Sequence, residues 1–274
     1  MGTRPQKDAL EEMLEQASVS TLSALVKRLT ITHVGLVAEC CEFLLEHADL
    51  SAKQRSDLAS EQVTSIWNEL SVHIDELDEY GGGEDSIYES VWELTQQLVE
   101  TVNNNDVESG LRQYIVTEAL SYIESDNAGV SNELYDIVLA CSISVEEKIS
   151  LAKFFESLPR SSYISRALSI YRELEYVENY LRLRQSSLCY GADYLDLATF
   201  YDERGDKEKG LLLTIKPHHI GWETSYERRF AKQLENLYPK LIFDYYIRAL
   251  GKVEKSTRKT YAQQSRVCQH FKMS

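Results

Sequence analysis

The sequence predicts an all-α fold, built as an α/α helical-repeat solenoid, and three observations predict it. Apolar residues recur at three- and four-residue steps along most of the chain, which places them on one face of a helix. Only 12 Gly and 4 Pro occur in 274 residues, too few for a loop-rich or disordered chain. Short polar or glycine-rich clusters interrupt the apolar rhythm at intervals, as connections between helices do. With 43% hydrophobic and 27% charged residues, the composition is that of a soluble protein long enough to bury a core without metal or disulfide support.

The first element spans 8–17, with Leu10, Met13, Leu14 and Ala17 on one face. A second follows over 21–29 with Leu22, Leu25, Val26 and Leu29, and Ser20 is its expected cap because a serine oxygen accepts from a first-turn amide. Residues 33–47 form a third, striped by Val34, Val37, Ala38, Cys41, Leu44 and Leu45. Residues 51–79 read as one long helix carrying Val63, Ile66, Trp67, Leu70, Ile74 and Leu77, with no internal Pro or Gly. Gly81, Gly82 and Gly83 stop it. The next helix starts near Asp85, uses Ile87, Val91, Leu94, Leu98 and Val102, and ends at the polar run Asn103 to Asp106. Together the two predict a long antiparallel hairpin.

Further helices are expected over 107–124 and 132–141, separated by the turn at 125–129. Ser144 stands three residues before Glu147, the spacing of a reciprocal capping box, so a helix starts there and ends near Pro159. Shorter elements follow at 162–174, 176–188, 193–204 and 206–216. Beyond them, 226–238, 239–250 and 253–271 complete the helical reading, with Pro239 in a first turn where its missing amide is harmless. The organisation divides into an irregular helical-hairpin region, 1–158, and a more regular region, 159–274, expected to join in one continuous superhelical body.

In the run YLDLATFYDERGDKEKGLLLTIKP, starting at Tyr194, Tyr194, Leu197, Ala198 and Tyr201 share a face. Gly205 makes a close turn, and Gly210, Leu211 and Leu213 face back. This pair resembles a tetratricopeptide hairpin, so the region 159–274 is expected to be tetratricopeptide-like, although no 34-residue period runs through the chain. The run RALSIYRELEYVENYLRLRQ, that pair, and the later stretch from Tyr238 to Lys272 resemble the helical region that accompanies SWIM zinc-finger proteins. Residues 161–273 carry the resemblance through Arg172, Tyr180, Leu181, Tyr194, Ala198, Gly205, Tyr238 and Tyr261. It implies a helical-repeat scaffold and association with nucleic-acid-linked proteins. The finger's own ligands, a CxC followed by a CxH, do not occur, so its zinc chemistry does not carry over.

Candidate chemical groups do not converge. His33, Cys40, Cys41 and His47 share a sector of one helix, but a rise of about 1.5 Å per residue sets the two histidines roughly 21 Å apart, too far for one ion. His218, His219, Cys268 and His270 could meet only through folding, and no metal site is expected. Glu76 and Glu79 read as a solvated helix surface. With no nucleophile elbow and no Lys-Ser or Lys-Thr after the glycine run, neither catalytic residues nor a cofactor are expected, and the chain reads as no enzyme.

Five dispersed cysteines read as reduced thiols, and neither a signal-like start nor a run of about 20 apolar residues is present. Arg4 to Lys7 supply no Ser or Thr to complete an acylation signal after Gly2. A cytoplasmic protein off the membrane is expected. Residues 1–203 hold 14 basic and 37 acidic side chains, a net charge of −23, whereas 204–274 hold 15 and 7, a net charge of +8. The basic end makes Arg228, Arg229, Lys252, Arg258 and Lys259 candidate nucleic-acid contacts. Tyr171, Tyr180, Tyr194 and Tyr201 are candidates either for inter-helix packing or for contact with a protein partner. A helical-repeat scaffold for protein–protein interaction, its partner unidentified, is the leading expectation, and an accessory nucleic-acid-binding module is the alternative.

Overall fold

The computed structural model describes residues 9–33, 35–189 and 191–215, together with Pro239, Lys240 and Phe243. Every regular element among them is a helix: α1 Ala9–Gln16, α2 Val19–Thr32, α3 Gly35–His47, α4 Ala52–Tyr80, α5 Asp85–Asn104, α6 Ser109–Ser125, α7 Ser131–Cys141, α8 Val145–Ser157, α9 Ser161–Glu173, α10 Val177–Ser186, α11 Gly191–Glu203 and α12 Lys207–Ile215. The helices expected over 226–271 fall outside the described residues, apart from Pro239, Lys240 and Phe243, which are helical. The chain divides into two compact units, Met1–Phe154 and Phe155–Ser274, with the division inside α8.

In the first unit α4 is the organising element, packing against α3, α5 and α6, while α7 packs on α5 and α6. Its apolar stripe explains why. Val63, Ile66, Leu70, Ile74 and Leu77 are fully buried and Trp67 nearly so, facing Val91, Leu98 and Val102 of α5. Both ends of α4 are fixed locally. Ser51 and Gln54 form a reciprocal capping box, and Gly81 ends the helix in the left-handed conformation with its amide on the Leu77 carbonyl.

Two further starts show how local chemistry sets register. Glu147 Oε2 accepts from the backbone amides of Ile143 and Ser144 at 3.0 and 2.9 Å, and Ser144 Oγ accepts from the Glu147 amide at 3.2 Å. These bonds hold the Glu147 carboxyl below its ordinary range, the Ser144 amide contributing most. At α2 the cap is Ser18 and not Ser20, so the helix begins two residues earlier than its sequence suggests. Ser18 Oγ accepts from the Thr21 amide at 3.2 Å and also meets the Ser20 and Thr21 hydroxyls at 2.8 Å each.

The second unit repeats one turn. After α9, the Tyr176 amide donates to the Tyr171 carbonyl and the Glu175 amide to Arg172, with Glu175 left-handed at φ 57°. After α11, thirty positions on, Asp206 donates to Tyr201 and Gly205 to Asp202, with Gly205 at φ 79°. Both are helix ends of the Schellman kind, closing the α9–α10 and α11–α12 hairpins. Gly205 takes that conformation without penalty, whereas a glutamate in it costs about 1 kcal/mol. In the second hairpin α12 crosses α11 closely enough that a Cβ at Gly210 would stand 3.0 Å from the Ala198 carbonyl oxygen.

Candidate protein-contact site

The tyrosines singled out by the sequence occupy two kinds of position. Tyr171 and Tyr180 are fully buried, and Tyr194 and Tyr201 are half-buried. Tyr171 donates to Glu156 Oε2 at 3.1 Å, and the same carboxylate is gripped by both arms of Arg182 at 2.6 and 2.8 Å. The Arg182 fork holds Glu156 below the usual carboxylate range, while burial pushes the Tyr171 phenol up.

Asp196 of α11 is the hub of a second lattice. It accepts from Arg172 Nη1 at 2.8 Å, from Tyr180 Oη at 2.5 Å, and from Arg184 Nε at 2.9 Å and Nη2 at 2.7 Å. Arg172 reaches on to Glu203 at 2.7 Å, and Arg184 to Asp193 at 2.8 Å. Phe200 lies beside this hub, stacked on Tyr180 with ring centres 4.2 Å apart and covered by Arg204 at 3.8 Å. The lattice joins α9, α10 and α11, and its donors and acceptors point at one another. Burial raises the Tyr180 phenol, so it is a neutral donor at physiological pH. At the outer edge Tyr201 accepts from Gln185 at 3.2 Å and faces Lys209 Nζ at 5.5 Å.

Sequence reasoning did not foresee where apolar surface stays open. Leu10, Met13 and Leu14 of α1, Leu25, Val26 and Leu29 of α2, and Phe43 and Leu44 of α3 are all exposed, from 39% at Leu14 to 72% at Met13. No residue of α2 is buried. The stripes were legible as helical faces, and only the packing reveals that they are left uncovered. Leu44 shows the point within one helix. It shares the predicted α3 stripe with Cys41 and Leu45, yet those two are buried and Leu44 is 43% exposed.

A second feature is electrostatic. Residues 56–147 hold 21 Asp and Glu against a single basic residue, Arg112. That charge is turned inward: Arg112 donates to the carbonyls of Cys141 at 2.9 Å and Val107 at 3.2 Å, with Glu147 3.9 Å away. The outer face of α4 to α7 is therefore strongly acidic, a surface that repels polyanions. Glu76 and Glu79 lie exposed on it, while Asp75 and Asp78 accept from Tyr122 at 2.5 Å and Ser125 at 2.8 Å. A shallow groove of about 440 Å³ opens between α6 and α8, lined by Val116, Leu120, Cys141 and Leu151.

Among the described residues no group of three or more His, Cys, Asp or Glu is placed to hold a metal ion. Burial pushes the Cys41 thiol up to about 11 and the Cys141 thiol up to about 12, so both are protonated packing groups. No described helix is long and apolar enough to cross a membrane. Arg228, Arg229, Lys252, Arg258 and Lys259, with His218, His219, Cys268 and His270, lie outside the described residues. Among the described residues, fold and surface define a helix-only class assembled from packed helix pairs. Comparison with family models, curated proteins and solved structures returns no match.

Proposed function

We propose that this chain is a non-enzymatic helical scaffold for protein–protein interaction, tetratricopeptide-like in its α11–α12 hairpin. The observation that carries the reading is the row of exposed apolar side chains on α1 to α3. Large apolar exposure on a folded surface marks an interaction site, and ten large apolar residues, Val19 and Ile31 among them, are exposed within positions 10–44. The close approach of Gly210 to Ala198, where tetratricopeptide hairpins carry a small residue, supports the repeat reading. The four cysteines among the described residues are free, two of them adjacent at Cys40 and Cys41, which fits a reducing compartment such as the cytoplasm. The test is cross-linked capture from a cellular extract with the full chain, comparing wild type with Leu25→Glu/Leu29→Glu and Phe43→Glu/Leu44→Glu. Partners held by the wild type and lost from the variants support the reading, and an identical set from all three chains contradicts it.

A second reading rests on the charge of residues 204–274, net +8 against −23 before them. Together with the resemblance to SWIM-associated regions it supports an accessory nucleic-acid contact through Arg228, Arg229, Lys252, Arg258 and Lys259. Such binding would weaken steeply with salt and fall when these five lose charge. Binding that is insensitive to both removes the reading.

A further inference from the structure

The α1 and α2 helices are too short to stand on their own propensity. α1 has 8 residues and α2 has 14, and isolated helices below about 12–15 residues are marginal in water unless an amphipathic face is packed. Yet that face is open, with Met13 72%, Leu25 39%, Val26 45% and Leu29 40% exposed. Within the chain α2 packs on α3, and that contact leaves the apolar faces of α1 and α2 without cover.

Charge selects what that is. α1 carries Glu11, Glu12 and Glu15 and no basic residue, whereas α2 carries Lys27 and Arg28 and no acidic one. Among the described residues neither Lys27 nor Arg28 makes an ion pair. A foreign partner of one sign would suit one helix and repel the other. A two-fold partner offers both signs at once, because an isologous interface uses each pairing twice.

We propose that the α1–α2 segment docks on the same segment of a second copy of this chain, with α1 of each copy against α2 of the other. This rests on the contact-scaffold reading and names the partner of its apolar row. The product is a four-helix arrangement in which Met13, Leu14, Leu25, Val26 and Leu29 of each copy turn inward. The alternative pairing of α1 on α1 sets three glutamates against three, and α2 on α2 opposes bases, so the crossed pairing is selected. These five apolar side chains per copy supply several hundred Å², and the flanking charges extend that toward the roughly 800 Å² per partner of a standard interface.

The test is sedimentation equilibrium of the full chain over a range of concentrations. Wild type is expected at twice its 31.4 kDa mass, and Leu25→Glu/Leu29→Glu at 31.4 kDa with unchanged far-UV circular dichroism. Glu11→Lys/Glu12→Lys and Lys27→Glu/Arg28→Glu should each weaken self-association about tenfold, since every lost pair counts twice. An equimolar mixture of these two variants should recover it, because each copy's α1 then meets a complementary α2. A 31.4 kDa monomer at all concentrations, a dimer indifferent to Leu25→Glu/Leu29→Glu, or a mixture that does not recover overturns the proposal. A monomer that still captures a foreign protein through Leu25 and Leu29 overturns it while leaving the wider scaffold reading intact. A dimer that captures nothing upholds it and removes the wider reading.

Discussion

The α1–α2 segment and the α4–α5 hairpin are written in the same pattern and end in opposite states. Both place apolar residues at three- and four-residue steps, yet Val63, Ile66, Leu70 and Ile74 have no exposure while Met13, Val26 and Leu29 stand open. The difference lies in neighbours. α4 meets α3, α5 and α6, whereas among the described helices α1 is not closely packed and the main neighbour of α2 is α3. Periodicity tells which face of a helix seeks cover, and only packing tells whether the same chain provides it.

The largest expected effect would break this comparison if it failed. Leu70→Ala or Ile74→Ala removes methyl groups from a sealed core and should cost about 3 kcal/mol in thermal or denaturant unfolding, whereas Leu25→Ala in the dilute chain should stay within about 0.5 kcal/mol. Equal losses at the two sites would mean that the α2 face is already covered within one chain.

A smaller effect contrasts that apolar seam with the ionic lattice of α9 to α11. Asp196→Ala leaves Arg172 and Arg184 without their shared acceptor and should cost about 2 kcal/mol, below the figure for a fully buried pair because Asp196 is 28% exposed. Loss of the lattice without loss of stability would show that apolar packing alone holds this unit. Smaller still is the pair of repeated turns: Gly205→Ala should destabilise by about 1 kcal/mol and Glu175→Gly should stabilise by a similar amount. Unfolding midpoints of the two variants should move in opposite directions.

The smallest effect is set by pH. Glu147 and Glu156 are held below their ordinary value of 4.5, by the Ser144 amide and by Arg182 respectively. Their lowered folded values mean that the native state binds fewer protons than the unfolded one. The stability they contribute is therefore complete above about pH 4.5 and is lost as the pH falls through the lower folded values. The thermal midpoint should decline in that acid window, and Glu147→Gln or Glu156→Gln should flatten the decline.

Much of the fold was legible because its determinants are local. The spacing of Ser144 and Glu147 identified a helix start, and the run from Val63 to Leu77 identified the central helix, since each needs only neighbours in sequence. Ser18 was missed because Ser18 and Ser20 offer the same chemistry two residues apart, and the choice depends on which hydroxyl gathers Thr21. The repeated turn was half visible: Gly205 signals a left-handed residue, but Glu175 does not. The Asp196 hub was invisible, since its partners Arg172, Tyr180 and Arg184 stand 24, 16 and 12 residues away. Tyr171 and Tyr180 were legible as amphipathic rings, whereas their complete burial depends on that lattice and on Glu156.

Native-state amide hydrogen exchange, measured at increasing chain concentration, tests most directly whether the α1–α2 face is completed by another chain. Exchange reports local opening element by element. Protection of the α2 amides should rise with concentration while that of Leu70 and Ile74 in α4 stays constant. Protection of α2 that is high at every concentration, or low at every concentration, would contradict the account.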